Sequence, residues 1–341
     1  MNAPETFRVP GPSERSAGSN DRGIHAIVPA YRAQEYIGKC IAGLREAGFR
    51  DDEIIVVDDC SPDQTAQTVR SLGIEPVALA ENVGAAEARN AGAAVSNADI
   101  LLFVDCDVVV QSDVRDRVAA FFASASSYSA VFGSYDNSPE CRSPVSRFRN
   151  LLHRQVHVES RGDAVTFWTG CGAIRRESFE AVGGFDSEQR MMEDVRLGLK
   201  LHALGRKIRL DPAIQGKHLK RWTLSSMFRT DLFDRAIPWT RLLRTRIGRA
   251  SSYALNLSLR GRISGIAVAG TLLGCAVAVI QPFVGLATVL GSFGLLIWAN
   301  RSFLRELLRI SGPAQAMLAV PLLWLHYCAA CLGFAYARLK P

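Results

Sequence analysis

The sequence predicts an α/β domain with a mostly parallel sheet, followed by about three helices that cross a membrane. Two observations indicate the sheet: continuous apolar runs alternate with helical stretches, and several of these runs end in acidic residues. A third observation indicates the membrane helices, because the last part of the chain contains three long stretches almost without charge. A chain of 341 residues has room for both parts.

The elements of the α/β part follow in chain order. Residues 1–22 are rich in Pro, Ser, Gly and charge, which predicts a disordered tail. From Gly23 onward we expect strands at IHAIVPAY, EIIVVDD, EPVALAE and DILLFVDCD, the first three each followed by a helical stretch. After Asp107 the pattern is less regular, with a strand SAVFGSYD and a helix that opens at Glu193. We assign residues 23–225 to this domain.

Acidic residues cluster where these elements end or begin. They are Asp58, Asp59, Asp105, Asp107, Glu193 and Asp194. Because the carboxyl ends of parallel strands meet at one edge of a sheet, these carboxylates are expected to crowd into one crevice. Their mutual repulsion is costly unless a cation or a ligand joins them. The cluster therefore predicts a binding or catalytic site.

Asp105 and Asp107 flank Cys106 at the end of an apolar strand, so both side chains can point the same way. Hard cations such as Mg²⁺ and Mn²⁺ prefer oxygen ligands and commonly join one or two carboxylates to substrate phosphates. This arrangement suits a nucleoside diphosphate. A DxD triplet alone is a weak signal, but its position after LLFV and downstream of VVDDCSPD strengthens the interpretation.

Four blocks, VPAYRAQEYI, VVDDCSPDQT, ENVGAAEARNAG and FVDCD, occur in an order and spacing that resemble the inverting nucleotide-sugar glycosyltransferases of family 2. AVGGFDSEQRMMEDVRLGLKL supports the resemblance, which covers roughly residues 24–222. The resemblance implies the A-type glycosyltransferase fold, a nucleotide-diphosphate sugar as donor and a divalent cation, Mg²⁺ or Mn²⁺, as cofactor. It also implies uracil as the donor base, with guanine or thymine as alternatives.

The resemblance further implies roles for individual residues. Those that would bind the nucleotide sugar are Pro29, Ala30, Tyr31, Asp58, Asp59, Asn82, Gly84, Arg89, Asn90 and Asp105. The first three would line the nucleotide pocket, the aspartates of VVDD would contact base and ribose, and the residues of ENVGAAEARN would lie near ribose and phosphate. Arg89 offers a guanidinium fork suited to phosphate, although an arginine on a helix face is more often solvated.

By the same resemblance, Asp107 would be the metal ligand that holds both phosphates, with Asp105 beside it. Asp194 would be the general base, next to Glu193 in the family's ED pair. A hydroxyl is a poor nucleophile until its proton is removed, so a carboxylate within hydrogen-bond reach is needed. Attack opposite the leaving group would invert the anomeric centre. The alternative is that both acids merely complement a helix dipole.

Two later motifs give candidates for the sugar and acceptor sites. In KHLKRW, His218 stands where the QxxRW of processive polysaccharide synthases has Gln. His218 is a candidate metal ligand or phosphate contact, and the alternative is a strand-end histidine above an interfacial Arg and Trp. The residues assigned to the acceptor or donor-sugar wall are Trp168, Thr169, Gly170, Gly172, Arg221 and Trp222. Trp168 is equally consistent with a core position.

Three apolar stretches predict membrane helices at about residues 263–280, 283–299 and 313–337. None has a compensating polar face, which argues against the alternative of a helical hairpin buried in a soluble domain. Residues 226–262 form a basic juxtamembrane segment with apolar residues at near-helical spacing, which is typical of amphipathic helices on a membrane surface.

The net charge of +7 is concentrated beside these stretches. Arginines precede the first stretch and fill the segment between the second and third, so the positive-inside rule places both segments and the α/β domain in the cytoplasm. Arg338 and Lys340 would then lie outside, contrary to the rule. Anionic lipids explain the arginines better than nucleic acid does, because no nucleic-acid motif accompanies them. We expect a multi-pass protein of the cytoplasmic (inner) membrane.

These observations predict a membrane-anchored, metal-dependent, inverting glycosyltransferase that moves a single sugar onto a hydroxyl of a lipid-linked or membrane-lipid acceptor. A general base favours a hydroxyl over a polyprenyl phosphate, which is already ionised. The alternatives are a polyprenyl-phosphate glycosyltransferase, a processive polysaccharide synthase, and a non-catalytic nucleotide-sugar sensor or assembly subunit. The intact carboxylates argue against the sensor, and His218 in place of Gln argues against the processive synthase.

Overall fold

The structure is a computed structural model that describes residues 23–187, 191–245 and 258–340. Within these residues the chain divides into two compact units. The first unit contains the positions up to Phe132 together with Phe167–Leu197, and the second contains Gly133–Thr166 and the positions from Gly198 onward. The predicted tail 1–22 and part of the predicted juxtamembrane segment, residues 246–257, lie outside the described residues.

Strands and helices alternate along the first part of the chain, and helices dominate the last part. The strands are β1 Ile24–Ala30, β2 Ile54–Asp58, β3 Val77–Ala78, β4 Ile100–Val104, β5 Val108–Val110, β6 Tyr128–Tyr135, β7 Gly162–Ala164, β8 Cys171–Arg175 and β9 Lys207–His218. The helices are α1 Ile37–Glu46, α2 Thr65–Ser71, α3 Ala85–Val95, α4 Val114–Ser124, α5 Pro144–Glu159, α6 Arg176–Ala181, α7 Glu193–Ala203, α8 Leu224–Arg229, a π-helix Thr230–Ala236, α9 Ile237–Arg244, α10 Leu259–Ala278, α11 Pro282–Ala299 and α12 Arg301–Leu339.

The first unit is built on a sheet with the strand order β3-β2-β1-β4-β8-β6. The pairings β3-β2, β2-β1 and β1-β4 are parallel, as predicted, whereas β8 runs antiparallel to both β4 and β6. The sheet is therefore mixed. The strand predicted at EPVALAE shrinks to Val77–Ala78, in keeping with Pro76, which has no backbone N–H to donate to a neighbouring strand.

The core of the first unit is formed by the continuous apolar strands. Ile27, Leu101, Leu102 and Phe103 are fully buried. Phe103 also packs against Phe179 and Phe185, with ring centroids 5.5 and 5.0 Å away. Burial on both faces explains why these strands are apolar at every position instead of at alternate ones.

Helix α3 lies directly on β1 and β2 through a glycine. A Cβ atom at Gly92 would stand 2.5 Å from Ile27 Cγ2 and 3.1 Å from Val57 Cγ2, so only glycine allows this approach. The contact matters for the site described below, because Arg89 lies one turn before Gly92 on the same helix.

The second unit contains the strand pair β7-β9 and the C-terminal helices. β7 and β9 pair antiparallel, with Asp163 opposite Arg209. Helices α10, α11 and α12 are each long and apolar enough to cross a membrane. In α12 the helical geometry is interrupted at Gly312, with φ 81° and ψ 176°. The third predicted membrane helix, residues 313–337, begins directly after this break.

The Gly92 contact gives a test of the α3 packing. Gly92→Ala is expected to destabilise the protein by about 1–3 kcal/mol, because the added methyl group forces Ile27 or the helix to move. Gly38→Ala is the matched control, since a Cβ atom at Gly38 in α1 would meet nothing within 4 Å. Thermal unfolding of both variants measures the difference, and equal midpoints would contradict this packing.

Candidate active site

The predicted nucleotide-binding residues gather at the carboxyl ends of three neighbouring strands in the first unit. β1 lies between β2 and β4, and Ala30 pairs with Asp58 in the β1-β2 register. The Asp59 amide donates a hydrogen bond to the Ala30 carbonyl at 2.9 Å. Asp105 directly follows β4. The prediction that these strand ends meet at one edge of the sheet is confirmed.

Asp58 and Asp59 differ in what their carboxylates contact. Asp59 Oδ1 accepts from the Val83 amide at 2.8 Å, and its Oδ2 accepts from the Gly84 amide at 2.9 Å and Asn82 Nδ2 at 2.8 Å. Asp59 therefore orders the loop that was predicted to lie near ribose and phosphate. Asp58 is only 6% exposed, and its Oδ1 has no hydrogen-bond partner among the described residues. A buried acceptor of this kind is suited to an N–H donor of a ligand.

Strained backbone lies at three of the predicted motifs. In the described part of the chain, the non-glycine residues with positive φ are Arg32 at 51°, Cys60 at 56° and Met192 at 69°. They follow Tyr31, follow Asp59 and precede Glu193, respectively. A left-handed conformation costs a non-glycine residue about 1–2 kcal/mol, and such strain concentrates at functional sites. The same edge of the first unit is thus the place where the fold tolerates strain.

A buried arginine joins the strand-end acids to the start of α7. Arg89 Nη2 binds Asp105 Oδ1 at 2.8 Å, and Arg89 Nη1 binds Glu193 Oε1 at 2.9 Å. The Arg89 side chain is 5% exposed and lies over the ring of Phe185, 5.5 Å from its centroid. The structure places Arg89 in ion pairs within the protein, and a contact of Arg89 with phosphate stays a prediction.

The charges at this edge change the pKa values of its acids. Burial raises the pKa of Asp194 to about 7, and the neighbouring carboxylate of Glu193 adds to this effect. Burial also raises the pKa of Asp105, with Asp107 and Glu193 adding to the rise and Arg89 opposing it. Burial alone would lower the pKa of Arg89, but Asp105 and Glu193 raise it above its usual value. Arg89 thus stays charged, and Asp194 can take up or release a proton near neutral pH.

Other predicted site residues occupy structural positions. Asn90 uses its side-chain amide to hold the GGFD loop: Phe185 N donates to Asn90 Oδ1 at 2.9 Å, and Asn90 Nδ2 donates to the Phe185 carbonyl at 3.0 Å. Trp168 is 9% exposed and its ring lies against Gly170, while its carbonyl approaches Gly172. Thr169 is also buried. These placements are typical of packing residues, and their predicted contacts with ligand stay predictions.

His218, Arg221 and Trp222 belong to the second unit. His218 is 5% exposed, its ring stacks on Tyr135 at a centroid distance of 4.4 Å, and its Nδ1 contacts Asn150 Oδ1 at 2.5 Å. Donation to this oxygen would leave Nε2 as the acceptor nitrogen that a metal requires. Trp222 is buried and lies 5.4 Å from the Arg149 guanidinium, while Arg221 is exposed. The metal and acceptor roles of these residues stay predictions.

A divalent cation fits the carboxylates at the end of β4. Asp105 and Asp107 supply hard oxygen donors, and Asp107 adds to the rise that burial causes in the pKa of Asp105. Among the described residues no three His, Cys, Asp or Glu side chains converge to hold a metal ion by themselves. That is compatible with Mg²⁺ or Mn²⁺, which are commonly bound by one or two carboxylates together with substrate phosphates.

Sequence reasoning missed a buried ionic network in the second unit. Arg149 on α5 forms an ion pair of 2.7 Å with Asp231 of the π-helix, and the other Asp231 oxygen contacts His326 Nδ1 of α12 at 2.8 Å. Arg149 and Asp231 are 4% and 3% exposed. Two features of the sequence could have indicated this network: an aspartate in a basic amphipathic segment and a histidine in an apolar stretch.

Comparison with known proteins identifies the class of domain. Residues 25–183 match the model of glycosyl transferase family 2. Validoxylamine A glucosyltransferase of Streptomyces hygroscopicus subsp. jinggangensis is 28% identical over 221 residues, which cover 53% of this chain and 52% of the relative. Poly-beta-1,6-N-acetyl-D-glucosamine synthase of Staphylococcus aureus is 24% identical over 202 residues, covering 56% and 48%. The chain spans about half the length of these curated relatives.

A solved structure shares the fold over most of the chain. The mannosyltransferase PcManGT from Pyrobaculum calidifontis, in complex with GDP-Man and Mn²⁺, superposes with a TM-score of 0.57 at 16% identity and covers 93% of this chain and 89% of its own. The fold is that of the A-type glycosyltransferases. Residues 25–183 form a glycosyltransferase domain of family 2.

The Arg89 ion pairs can be tested by a double-mutant cycle. Arg89→Met is expected to lower the free energy of unfolding by about 3–5 kcal/mol, because it leaves two carboxylates beside each other without their cation. Arg89→Met with Glu193→Gln is expected to lose less than the sum of the single changes. Arg70→Met removes the exposed pair with Glu75 and is the control, with an expected loss of about 0–1 kcal/mol. Additive effects of Arg89→Met and Glu193→Gln would contradict the arrangement.

The raised pKa of Asp194 predicts that this residue costs stability. An unfolded aspartate has a pKa of about 3.9, so ionisation in the folded protein at a pKa of about 7 lowers stability progressively as pH rises between these values. Asp194→Asn should therefore raise the melting temperature, with a gain over the parent that grows from pH 4 to pH 7 and is constant above. The exposed Asp116→Asn controls for general loss of a carboxylate. A gain that does not depend on pH would contradict the assignment.

Proposed function

We propose that this protein is a membrane-associated, inverting glycosyltransferase that moves one sugar from a nucleotide-diphosphate sugar to a hydroxyl of a lipid-linked or membrane-lipid acceptor. The observation that carries the proposal is the Arg89 bridge, which joins Asp105 at the end of β4 to Glu193 beside Asp194. It joins the predicted phosphate-binding end of the site and the acid beside the predicted base in one partly buried, charged cluster of the first unit. The match of residues 25–183 to glycosyl transferase family 2 supports the same class of reaction.

The donor nucleotide would bind across the ends of β1 and β2. The buried Asp58 Oδ1 would accept a hydrogen bond from a ring N–H of the base, a group that uracil, thymine and guanine all possess. The loop ordered by Asp59 would follow the ribose. Tyr31, which is 42% exposed at this edge, would cover the base. Uracil remains the base favoured by the sequence blocks.

Asp107 and Asp105 would hold the divalent cation against the diphosphate. When bound, the cation stabilises the charge that develops on the departing nucleoside diphosphate. Asp105 would hold the cation while Arg89 fixes one of its carboxylate oxygens, so the carboxylate would not rotate during the reaction. Arg89 would also limit the repulsion between Asp105 and Glu193.

Asp194 would remove the proton from the acceptor hydroxyl as its oxygen attacks the anomeric carbon. The carboxylate is at the first turn of α7, where Oδ1 accepts from the Val195 amide at 2.7 Å, so its position is fixed. A pKa of about 7 makes it a stronger base than an ordinary aspartate and still largely ionised in mildly alkaline solution. Glu193 is tied to Arg89 and would position the base without taking the proton itself.

The acceptor would come from the membrane. Helices α10 and α11 expose large apolar side chains, including Leu272, Leu273, Phe283 and Leu290 at 52–89%. Arginines flank these helices, and at the end of α11 the Arg301 guanidinium lies 4.9 Å from the centroid of the Trp298 ring. These features favour the cytoplasmic membrane, with the catalytic domain on the cytoplasmic side.

The test uses the purified full-length protein in lipid nanodiscs supplied with membrane lipid extract. Release of nucleoside diphosphate from a panel of nucleotide sugars is measured with Mn²⁺, Mg²⁺ or EDTA, and the mass of the lipid product counts the sugars added. One sugar per acceptor is expected, with activity lost in EDTA and reduced about 100-fold or more in Asp107→Asn. The exposed Asp116→Asn is the control and should keep the parent rate.

Other outcomes would contradict the proposal in distinct ways. A ladder of products with increasing numbers of sugars would indicate a processive synthase. Transfer to a polyprenyl phosphate would indicate a different acceptor class. Tight binding of nucleotide sugar without turnover of any donor would indicate a sensor or an assembly subunit.

A further inference from the structure

Helix α12 makes polar contacts along nearly the whole of its apolar part. Near its start, Gln315 Nε2 donates to the Pro144 carbonyl at 2.8 Å, where α5 begins. Midway, His326 contacts Asp231 at 2.8 Å. Near its end, Arg244 Nη1 donates to the Ala337 carbonyl at 3.1 Å. All these contacts lie within the second unit, so α12 lies beside polar elements from one end to the other.

The spacing of these contacts matches the thickness of a membrane. Gln315 and Ala337 are separated by about 33 Å along a helix with a rise of about 1.5 Å per residue, while a hydrocarbon core is about 30 Å thick. If α12 crossed the membrane, its contacts with α5 and with α9 would lie on opposite sides. Either α5 or α9 would then have to leave the side on which the rest of the second unit lies.

The elements beside the second half of α12 are too polar for the hydrocarbon. The π-helix and α9 carry Asp231, Asp234, Arg235, Arg241 and Arg244, and the last two arginines are exposed. Exposed arginines belong in water or among headgroups, not among acyl chains. These elements are firmly attached to α12, because a Cβ atom at Gly333 would clash with Ala236. The second half of α12 must therefore share their environment.

The hairpin of α10 and α11 has one polar end and one apolar end. Its open end is polar, with Asn300 Nδ2 donating to Ser264 Oγ at 2.9 Å, and Tyr327 of α12 donating to Asn300 Oδ1 at 3.3 Å. Its closed end exposes Val279 and Ile280 at 84% and 79% and carries no charge. Helix α12 thus meets the hairpin at the polar end, and the apolar end points away from these contacts.

We propose that the α10-α11 hairpin enters the membrane, while α12, from Pro313 to Leu339, lies along the membrane surface. There α12 contacts the lipid headgroups and the upper part of the acyl chains. Its contacts with protein occupy one face. Apolar side chains remain on the other, with Met317, Leu318, Leu332 and Leu339 exposed by 48–83%. The C-terminal end therefore stays on the same side of the membrane as α8 and α9.

This topology removes an exception to the positive-inside rule. With α12 crossing the membrane, Arg338 and Lys340 would lie opposite the other basic residues. With α12 on the surface, every basic residue around the hairpin lies on one side: Arg260, Arg262, Arg301, Arg305, Arg309, Arg338 and Lys340. The proposal is independent of the transfer reaction, since it concerns only the second unit.

Single cysteines test the topology in the full-length protein. Lys340→Cys and Ser225→Cys both place a thiol at an exposed position, on the C-terminal end and on α8. Intact cells and opened membranes are treated with a membrane-impermeant maleimide, and peptide mass spectrometry assigns the label, so that the native cysteines do not interfere. Both positions are expected to react from the same side. Reaction of Lys340→Cys from the side opposite to Ser225→Cys would overturn the proposal.

A depth measurement tests the orientation of α12 directly. A fluorescent amino acid is incorporated at Met317, Leu325 or Leu339, with Leu290 of α11 as the deep control, in bilayers whose lipids carry bromine at defined acyl positions. The three α12 positions are expected to be quenched most by bromine near the headgroups, and Leu290 by bromine near the bilayer centre. Deepest quenching at Leu325, with shallow quenching at Met317 and Leu339, would show a helix that crosses the membrane.

Discussion

The candidate active site depends on one buried cation, Arg89. Parallel strands bring Asp58 and Asp105 to one edge of the sheet, and the first turn of α7 adds Glu193 and Asp194. Carboxylates assembled in this way repel one another, and burial makes the repulsion stronger. Arg89 offsets it by binding Asp105 and Glu193 with its two terminal nitrogens. Its own position is fixed because α3 packs on β1 and β2 through Gly92.

The arrangement separates two kinds of carboxylate. Asp105 and Glu193 share an ion pair with Arg89, while Asp194 has no ion pair among the described residues, and burial together with the Glu193 carboxylate raises its pKa. A general base works best when its pKa is near the working pH. Arg89 binds the other two acids and leaves Asp194, with its raised pKa, suited to proton transfer. Arg32 and Cys60 have positive φ, so the backbone of the loops at this edge is also less stable than it would be in an unstrained conformation.

Sequence patterns predicted the parts of the structure that depend on local periodicity. Continuous apolar strands, the helix start at Glu193 and the convergence of Asp58 with Asp105 followed from alternation and strand ends. The antiparallel strand β8 was not predicted, because strand direction depends on pairing between distant segments. The partners of Arg89 and Asn90 were missed for the same reason: Glu193 and Phe185 lie about 100 residues away in the chain. The C-terminal helices lie beyond the family match at residues 25–183, but long stretches almost without charge are a local property of the sequence and predicted them.

The most direct test of the account compares binding with turnover in Asp194→Asn. Affinity for the nucleotide sugar is measured by calorimetry with the divalent cation present, and transfer is measured on the same preparation. The account predicts an affinity within a few-fold of the parent protein and a transfer rate lowered by about 10²–10⁴-fold, because the base acts on the acceptor and not on the nucleotide. Transfer at the parent rate would contradict the central claim that Asp194 removes the acceptor proton.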